Sequence, residues 1–257
     1  MKRLVSWTVA VLMGVLLSAG LASAAEFKVG PFIEWWSWKD RVSSTFGNAT
    51  IKEDDVMYGV EASVQGNPVS DLVLRGNGKL FFGSPDADAS ANTFFGSGTA
   101  TVGTRYWGYR LEGDVGLKFK ADEMTILTPF VGLGWRHWQR SFKDDINIDN
   151  DWHTFYTKIG IRGSAQTSKS VNISSEFGML VPLYKKSKFS WDDWSDSYKP
   201  GTKVSAFADL GLKYNQFSAN LYYEGYRYGN FTITDGVDSF TIKSNNDIFG
   251  LRLGYSF

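Results

Sequence analysis

The sequence predicts an all-β fold: a closed antiparallel transmembrane β-barrel of ten strands with up-and-down topology. Three observations support this prediction. Apolar residues alternate with small or charged ones, connections alternate between short and long, and no later apolar run is long enough for a transmembrane helix. An eight-stranded barrel is the alternative, if segment 26–38 or segment 101–120 is wrongly assigned.

The first 24 residues have the pattern of a signal peptide. Two basic residues precede an apolar run that ends near Leu17, and Ala-Ser-Ala at 22–24 forms an A-x-A cleavage site. We therefore predict export, with residues 1–24 removed and residues 25–257 forming the barrel. An uncleaved anchor is the alternative, although the run is short for a spanning helix.

The composition narrows the function classes. Cleavage removes Lys2 and Arg3 from a balance of 27 basic and 27 acidic residues, which leaves a slightly negative protein. This balance gives no support for a nucleic-acid partner. The chain has no cysteine, so disulfides do not hold the exported fold. A soluble fold would also have to bury 16% aromatic residues with few apolar runs.

Period-two alternation predicts strands at approximately 26–38, 55–66, 69–83, 101–120, 125–141, 152–165, 170–185, 202–214, 217–229 and 247–257. The connections between them are short at 66–68, 121–124, 166–169 and 215–216, and long at 39–54, 84–100, 142–151, 186–201 and 230–246. The long ones are rich in Asp, Ser, Asn, Gly and Thr. We therefore expect short periplasmic turns and five long surface loops.

One face of each strand combines glycine and serine with charged residues, as expected for a narrow lumen with lipid outside. The predicted lumen charges are Glu34, Glu61, Arg75, Arg110, Glu112, Asp114, Arg136, Lys158, Arg162, Glu176, Asp209, Glu224 and Arg252, together with Lys79, Lys118, Arg140 and Lys213. Confined charges are costly unless they are paired. We interpret them as a salt-bridged plug, and a cation-rich conduit is the alternative.

Aromatic residues cluster near both ends of the predicted strands, where two interfacial girdles are expected. The loop-side set is Trp35, Trp36, Trp38, Tyr106, Trp107, Tyr109, Trp135, Trp138, Trp152, Tyr223, Tyr226 and Tyr228. The turn-side set is Phe119, Tyr214, Phe217, Tyr255 and Phe257. A carbohydrate-binding aromatic platform is the alternative.

The last strand, DIFGLRLGYSF, places large apolar residues on one face and Arg252 on the other. We predict Glu34 as the partner of Arg252.

With its signal peptide, alternating strands and terminal Phe257, the chain resembles Gram-negative outer-membrane β-barrels. That resemblance implies location in the outer membrane, contact with its lipid and lipopolysaccharide, and recognition of the last strand by the barrel-assembly machinery. We expect a monomer.

A narrower resemblance is to the omptins, which are ten-stranded surface proteases. Asp86 and Asp88 in SPDADAS match the omptin Asp-x-Asp, and DSYKPGTK at 196–203 is similar to the segment that enters the eighth omptin strand. The chain departs from the pattern at Ser195 and Ser197, where omptins carry an Asp and a His.

The two histidines, His137 and His153, lie near the loop ends of neighbouring predicted strands, with Asp151 close by. We assign both to the outward face as interfacial side chains, because a metal site needs more ligands than two histidines. An acid/base or metal site is the alternative. Calcium in the acidic segments 143–152 and 191–196 is another, although their spacing does not match an EF-hand.

The sequence therefore predicts a non-enzymatic surface or structural protein of the outer membrane, whose loops contact a partner or lipopolysaccharide. No catalytic residue, cofactor or metal is predicted. A narrow porin-like channel for small solutes or ions is the first alternative, and an omptin-like membrane hydrolase is the second.

Overall fold

The computed structural model describes residues 25–94, 96–142, 148–191, 194–234 and 239–257. The predicted signal peptide, residues 1–24, lies outside the described residues. Among the residues described, no helix is long and apolar enough to cross a membrane.

The described residues form one antiparallel sheet. Its strands are β1 (Glu26–Ser44), β2 (Gly47–Val69), β3 (Leu72–Gly83), β4 (Asp86–Thr93), β5 (Gly96–Leu117), β6 (Phe119–Lys120), β7 (Thr125–Phe142), β8 (Ile148–Gln166), β9 (Val171–Trp191), β10 (Trp194–Tyr198), β11 (Ser205–Tyr214), β12 (Phe217–Arg227), β13 (Phe231–Thr234) and β14 (Ser239–Ser256).

Ten of these strands close into a barrel, in the order β1, β2, β3, β5, β7, β8, β9, β11, β12 and β14. The pairing of β1 with β14 closes the ring, from Lys28 opposite Ser256 to Ser43 opposite Thr241. The short strands β4, β10 and β13 extend the sheet beyond the barrel wall at the end where the long connections lie. The predicted ten-stranded, up-and-down barrel is confirmed.

The long connections differ from the prediction because most of their residues continue the sheet. Segment 39–54, expected as a loop, is a hairpin in which Ser44 pairs with Gly47. Segment 84–100 contains β4 and the start of β5. Both faces of such hairpins meet polar surroundings. Their sequences therefore lack the alternation of apolar and polar residues that identifies a half-buried strand. In the part of the chain that the structure describes, the long connections therefore form outer hairpins rather than irregular loops.

The outer wall of the barrel carries an apolar belt. Leu210, Leu221 and Phe249 are 63%, 61% and 57% exposed, although their neighbours along the chain point inward. At the turn end, Phe217, Tyr255 and Phe257 pack edge to face on the exterior. An apolar band bounded by aromatic rings is the surface that a transmembrane barrel presents to lipid.

Glycines on the inner wall make room for aromatic rings from the neighbouring strand. The directly opposed pairs are Phe32–Gly59, Phe81–Gly108, Tyr156–Gly134 and Tyr222–Gly250. A β-carbon on Gly134 would lie 2.4 Å from the Tyr156 ring, closer than van der Waals contact allows. Each ring therefore lies across the backbone of the next strand, which explains the high glycine content of the lumen face.

Candidate functional site

A network of buried ion pairs fills the middle of the barrel. Its carboxylates are Glu34, Glu61, Glu112, Asp114, Glu176, Asp209 and Glu224, and its cations are Arg75, Lys79, Arg110, Arg136, Lys158, Arg162 and Arg252. All predicted lumen charges in the central part of the barrel are among them. Arg136 has no ion-pair partner among the described residues but lies within the ion-pair network, and with it the seven carboxylates and seven cations carry no formal net charge. This balance matters because an unpaired charge in a confined interior costs several kcal/mol.

Glu176 on β9 is the most connected carboxylate of the ion-pair network. It accepts hydrogen bonds from Arg75 Nη1 at 2.6 Å and Arg162 Nε at 2.8 Å, and it lies 2.8 Å from Lys158 Nζ. Lys158 Nζ also donates to Glu112 at 3.2 Å. One carboxylate on β9 thus joins three cations from two other strands, β3 and β8.

The predicted partner of Arg252 is wrong. Arg252 donates to Glu61 and Asp209, whereas Glu34 pairs with Lys79. The register explains the difference, because Arg252 lies opposite Phe32 on β1. Glu34 lies two residues further along β1, towards the outer hairpins. Glu61 lies opposite Gly30, which is two residues from Phe32 in the other direction, towards the turns.

A second group of buried charges lies above the ion-pair network, towards the outer hairpins. Arg140 Nη1 donates to Glu53 at 2.8 Å, and Tyr106 donates its hydroxyl hydrogen to the same carboxylate. Asp40 lies 3.9 Å from Arg140. Glu53 and Asp40 were missed because both fall in segment 39–54, yet Asp40 continues the inward parity of Glu34.

The tryptophan cluster, formed by Trp36, Trp38, Trp138 and Trp152, fills the lumen between these two groups. Each ring is at most 2% exposed. Trp138 stacks on Trp152 with centroids 5.3 Å apart and planes 11° apart, and Trp38 meets both edge-on at 4.9 and 5.3 Å. Tyr228 covers Trp152 at 4.9 Å. The outer half of the lumen is therefore packed with aromatic rings.

This packing corrects part of the predicted outer girdle. Trp35 and Trp107 are exposed on the exterior, as expected. The tryptophan cluster, Tyr106, Tyr226 and Tyr228 are instead buried in the lumen. Strand parity was the available signal, because Trp36 and Trp38 alternate in phase with the inward Glu34.

Arg136 connects the tryptophan cluster to the ion-pair network. Its guanidinium carbon lies 4.9 Å from the Trp36 ring centroid and 4.2 Å from that of Tyr226. These are cation–π distances, which stabilise a buried guanidinium without a carboxylate partner. Tyr226 in turn donates its hydroxyl hydrogen to Glu224 at 3.2 Å, so the aromatic and charged layers are in direct contact there.

A polar cavity of about 500 Å³, here called the vestibule, lies at the turn end of the barrel. Its walls carry Lys28, Glu26 and Lys213, and its inner end is formed by Arg75, Arg162 and Arg252 of the ion-pair network, among others. None of the tryptophan cluster lines it. The vestibule therefore ends at the ion-pair network.

The residues that match omptins lie among the outer hairpins. Asp86 and Asp88 are exposed on β4, while Ala87 between them is buried, and Thr101 donates to Asp88 at 2.7 Å. Ser195 and Ser197 lie on β10, which pairs with β9. The two histidines are on β7 and β8, below these hairpins.

The structure brings the other predicted candidates together at the outer edge of the apolar belt. His137 and His153 are directly opposed on β7 and β8, and their rings stack with centroids 4.6 Å apart. Asp151 Oδ1 lies 3.2 Å from His137 Nδ1 and 3.5 Å from His153 Nε2. We call His137, Asp151 and His153 the rim triad. His137 and His153 project from the exterior wall, which is the face predicted for them, and Asp151 projects from the same face.

Trp107 and Tyr109 shield His137, with ring centroids 5.4 and 5.1 Å from the imidazole, and leave it 8% exposed. His153 packs against Trp135 at 5.7 Å and remains partly accessible, as does Asp151. The rim triad is therefore buried on one side and open to solvent on the other.

No protein-family model matches the sequence, and no curated protein matches it. Among solved structures, the outer membrane protease OmpT from Escherichia coli is similar, with a TM-score of 0.62 and 9% identity over 90% of this chain and 97% of OmpT. Lower scores are found for a deletion mutant of the monoaromatic hydrocarbon channel TodX (0.44, 9% identity, 94% and 93% covered) and an outer membrane channel from Pseudomonas putida F1 (0.39, 9% identity, 93% and 98% covered). At 9% identity the similarity to OmpT shows the fold alone: a small ten-stranded β-barrel of omptin-like architecture.

Proposed function

We propose that this chain is an integral protein of the Gram-negative outer membrane, a non-enzymatic barrel that is closed to diffusion and acts through its outer hairpins. The observation that carries the proposal is the double filling of the lumen. The tryptophan cluster packs the outer half, and the ion-pair network packs the middle.

Membrane insertion is supported by the outer wall. Closed strand pairing leaves no sheet edge in the ring, and the exposed side chains of the belt are apolar. A protein in water would instead place Leu210, Leu221 and Phe249 in a core. The same features support an exported protein with its turns in the periplasm.

A surface role is supported by the length and the tips of the outer hairpins. β2 has 23 residues, about twice the 9–11 that a strand needs to cross a bilayer. At the tips of two neighbouring hairpins, Phe46 and Phe94 are 48% and 89% exposed. The amide of Phe94 donates to the Phe46 carbonyl at 2.9 Å, which joins these tips. Two adjacent exposed aromatic rings suit contact with a partner or with lipopolysaccharide.

The closed lumen is tested by recording conductance across planar bilayers that contain the folded barrel. We expect wild-type protein to stay near background, because any path must pass both filled layers. Folding is verified in the same sample by heat-modifiable gel migration. Reproducible unitary conductance from the folded wild-type protein would establish the porin-like alternative instead.

The non-enzymatic assignment is tested separately with a peptide library and the folded protein. We expect no cleavage above that of an Asp86→Ala/Asp88→Ala double variant. Cleavage that is lost in this double variant, with heat-modifiable migration unchanged, would contradict the assignment and identify a hydrolase.

A further inference from the structure

We propose that the rim triad is a binding site for a divalent transition-metal ion, with zinc as the ion that its ligands suit best. His137, Asp151 and His153 offer two imidazole nitrogens and one carboxylate oxygen, all within 4.8 Å of one another. The proposal is independent of the closed lumen, since the triad lies on the exterior wall.

The distances already approximate those of a metal site. Zinc bonds of about 2.1 Å arranged tetrahedrally place neighbouring ligand atoms about 3.4 Å apart. The Asp151 oxygen is 3.2 Å from His137 Nδ1 and 3.5 Å from His153 Nε2. All three ligand atoms lie within 4.8 Å of one another, and the two imidazoles, which stack with their planes 17° apart, must rotate about their side-chain torsions to direct both nitrogens at one ion.

A second observation points to a ligand. His137 is more than nine-tenths buried, and its Nδ1 lies 3.2 Å from Asp151 Oδ1 without the geometry of a hydrogen bond, so neither atom is satisfied by the other. Buried polar atoms without partners are uncommon and costly. A metal ion between the imidazoles and the carboxylate satisfies both atoms at once.

The scaffold and the donor set both favour a transition metal. His137 and His153 stand on paired strands of a rigid wall, so the site is held by backbone hydrogen bonds rather than by a loop. Imidazole nitrogen suits zinc, copper and nickel, whereas calcium and magnesium prefer oxygen alone. Three protein ligands leave a fourth position on the solvent side, where His153 and Asp151 are accessible.

Two lysines of β9 lie beside the site: Lys186 is opposite His153 in the register, and Lys188 is the cation nearest to the carboxylate in sequence register. Lys188 on β9 lies opposite Asp151 in the register, but its side chain is exposed and is not within ion-pair distance of the carboxylate. Replacing it removes a positive charge from the surroundings of the metal. We therefore expect Lys188→Gln to bind zinc as tightly as wild type or more tightly.

The test titrates zinc chloride into the folded, detergent-solubilised full chain and measures binding by calorimetry. We expect one zinc ion per barrel, and affinity at least about tenfold weaker in His153→Gln and in Asp151→Asn. Asp149→Asn is the matched control, because it removes the same charge two residues away on β8, where Asp149 contacts Ser141. Its affinity should equal that of wild type.

Cobalt provides a readout that does not depend on affinity alone. Tetrahedral Co²⁺ bound by nitrogen and oxygen ligands should give visible d–d absorption with wild-type protein and lose it with His153→Gln. Heat-modifiable migration of every variant shows that the barrel is folded. Absence of stoichiometric zinc binding, or equal affinities for the Asp151→Asn and Asp149→Asn variants, would overturn the proposal.

Discussion

The two halves of the lumen are filled by opposite chemistry within the same barrel. In the outer half, aromatic rings pack against one another and four tryptophans are almost fully buried. Towards the turns, arginine, lysine and carboxylate side chains pair around Glu176 and then border the vestibule. Closely packed aromatic rings leave no room for water between them. Buried charged side chains are stable only where each charge has a partner of opposite sign.

The difference explains why the barrel is closed at one end and hollow at the other. Long cationic side chains can turn their ends towards water, so a charged layer tolerates a solvated vestibule beside it. Buried tryptophan rings gain their stability from close packing and from contacts with neighbouring rings, so a solvated space beside them would cost stability. The two halves should therefore respond differently to substitution, and the following predictions are ordered from the largest expected effect to the smallest.

The largest effect is expected from the double variant Trp138→Ala/Trp152→Ala. Each truncation of a buried tryptophan costs roughly 3–5 kcal/mol, and loss of the stacked pair leaves a large cavity. Urea unfolding followed by heat-modifiable gel migration measures the change in the free energy of unfolding. Bilayer conductance should stay near background, because the ion-pair network still closes the middle.

Exposed Trp107, outside the barrel, supplies the matched control for this experiment. Trp107→Ala should cost far less than either interior truncation. If the interior and exterior variants lose the same free energy of unfolding, packing within the tryptophan cluster does not stabilise the barrel. Conductance in the double variant would show that the tryptophan cluster alone seals the lumen.

The sequence predicts the barrel and the inward charges well, because period two follows directly from strand geometry. It does not predict which charges meet. Arg252 reaches Glu61 and Asp209 rather than Glu34, since cross-lumen partners depend on the stagger between strands, which no local pattern encodes. The tryptophan cluster was assigned to the girdle because position near a strand end was weighed above parity. The sequence places Asp151 near the two histidines, but only the register of β7 and β8 shows that His137 and His153 are directly opposed.

The next largest effect is expected from Glu176→Gln. The substitution leaves Arg75, Lys158 and Arg162 without the carboxylate that they share, and breaking a buried pair costs roughly 3–5 kcal/mol. Urea unfolding measures the loss. A loss of unfolding free energy below about 1 kcal/mol would show that water in the vestibule already solvates these cations. The ion pairs of the charged half would then contribute no more stability than ion pairs on a protein surface.

A moderate effect is expected from Gly134→Ala, which places a methyl group against the Tyr156 ring. Overpacking of this kind costs roughly 1–3 kcal/mol, and the Tyr156 ring must shift from Glu112, which accepts its hydroxyl hydrogen bond at 2.6 Å. The control is Gly78→Ala, where the nearest side-chain atom is 3.5 Å from the added carbon. Equal stability of the two variants in urea would argue against a steric role for the glycine–aromatic pairs.

The smallest effect is expected from Glu26→Gln at the mouth of the vestibule. Glu26 pairs with Lys213, but both side chains are about one-third to one-half exposed, so water screens the pair. Exposed ion pairs contribute about 0–1 kcal/mol, and the loss should shrink further in high salt. Urea unfolding at low and high salt, run beside Glu176→Gln, measures both. A salt-independent loss as large as that of Glu176→Gln would mean that the vestibule is dry, and the contrast between its mouth and the ion-pair network would disappear.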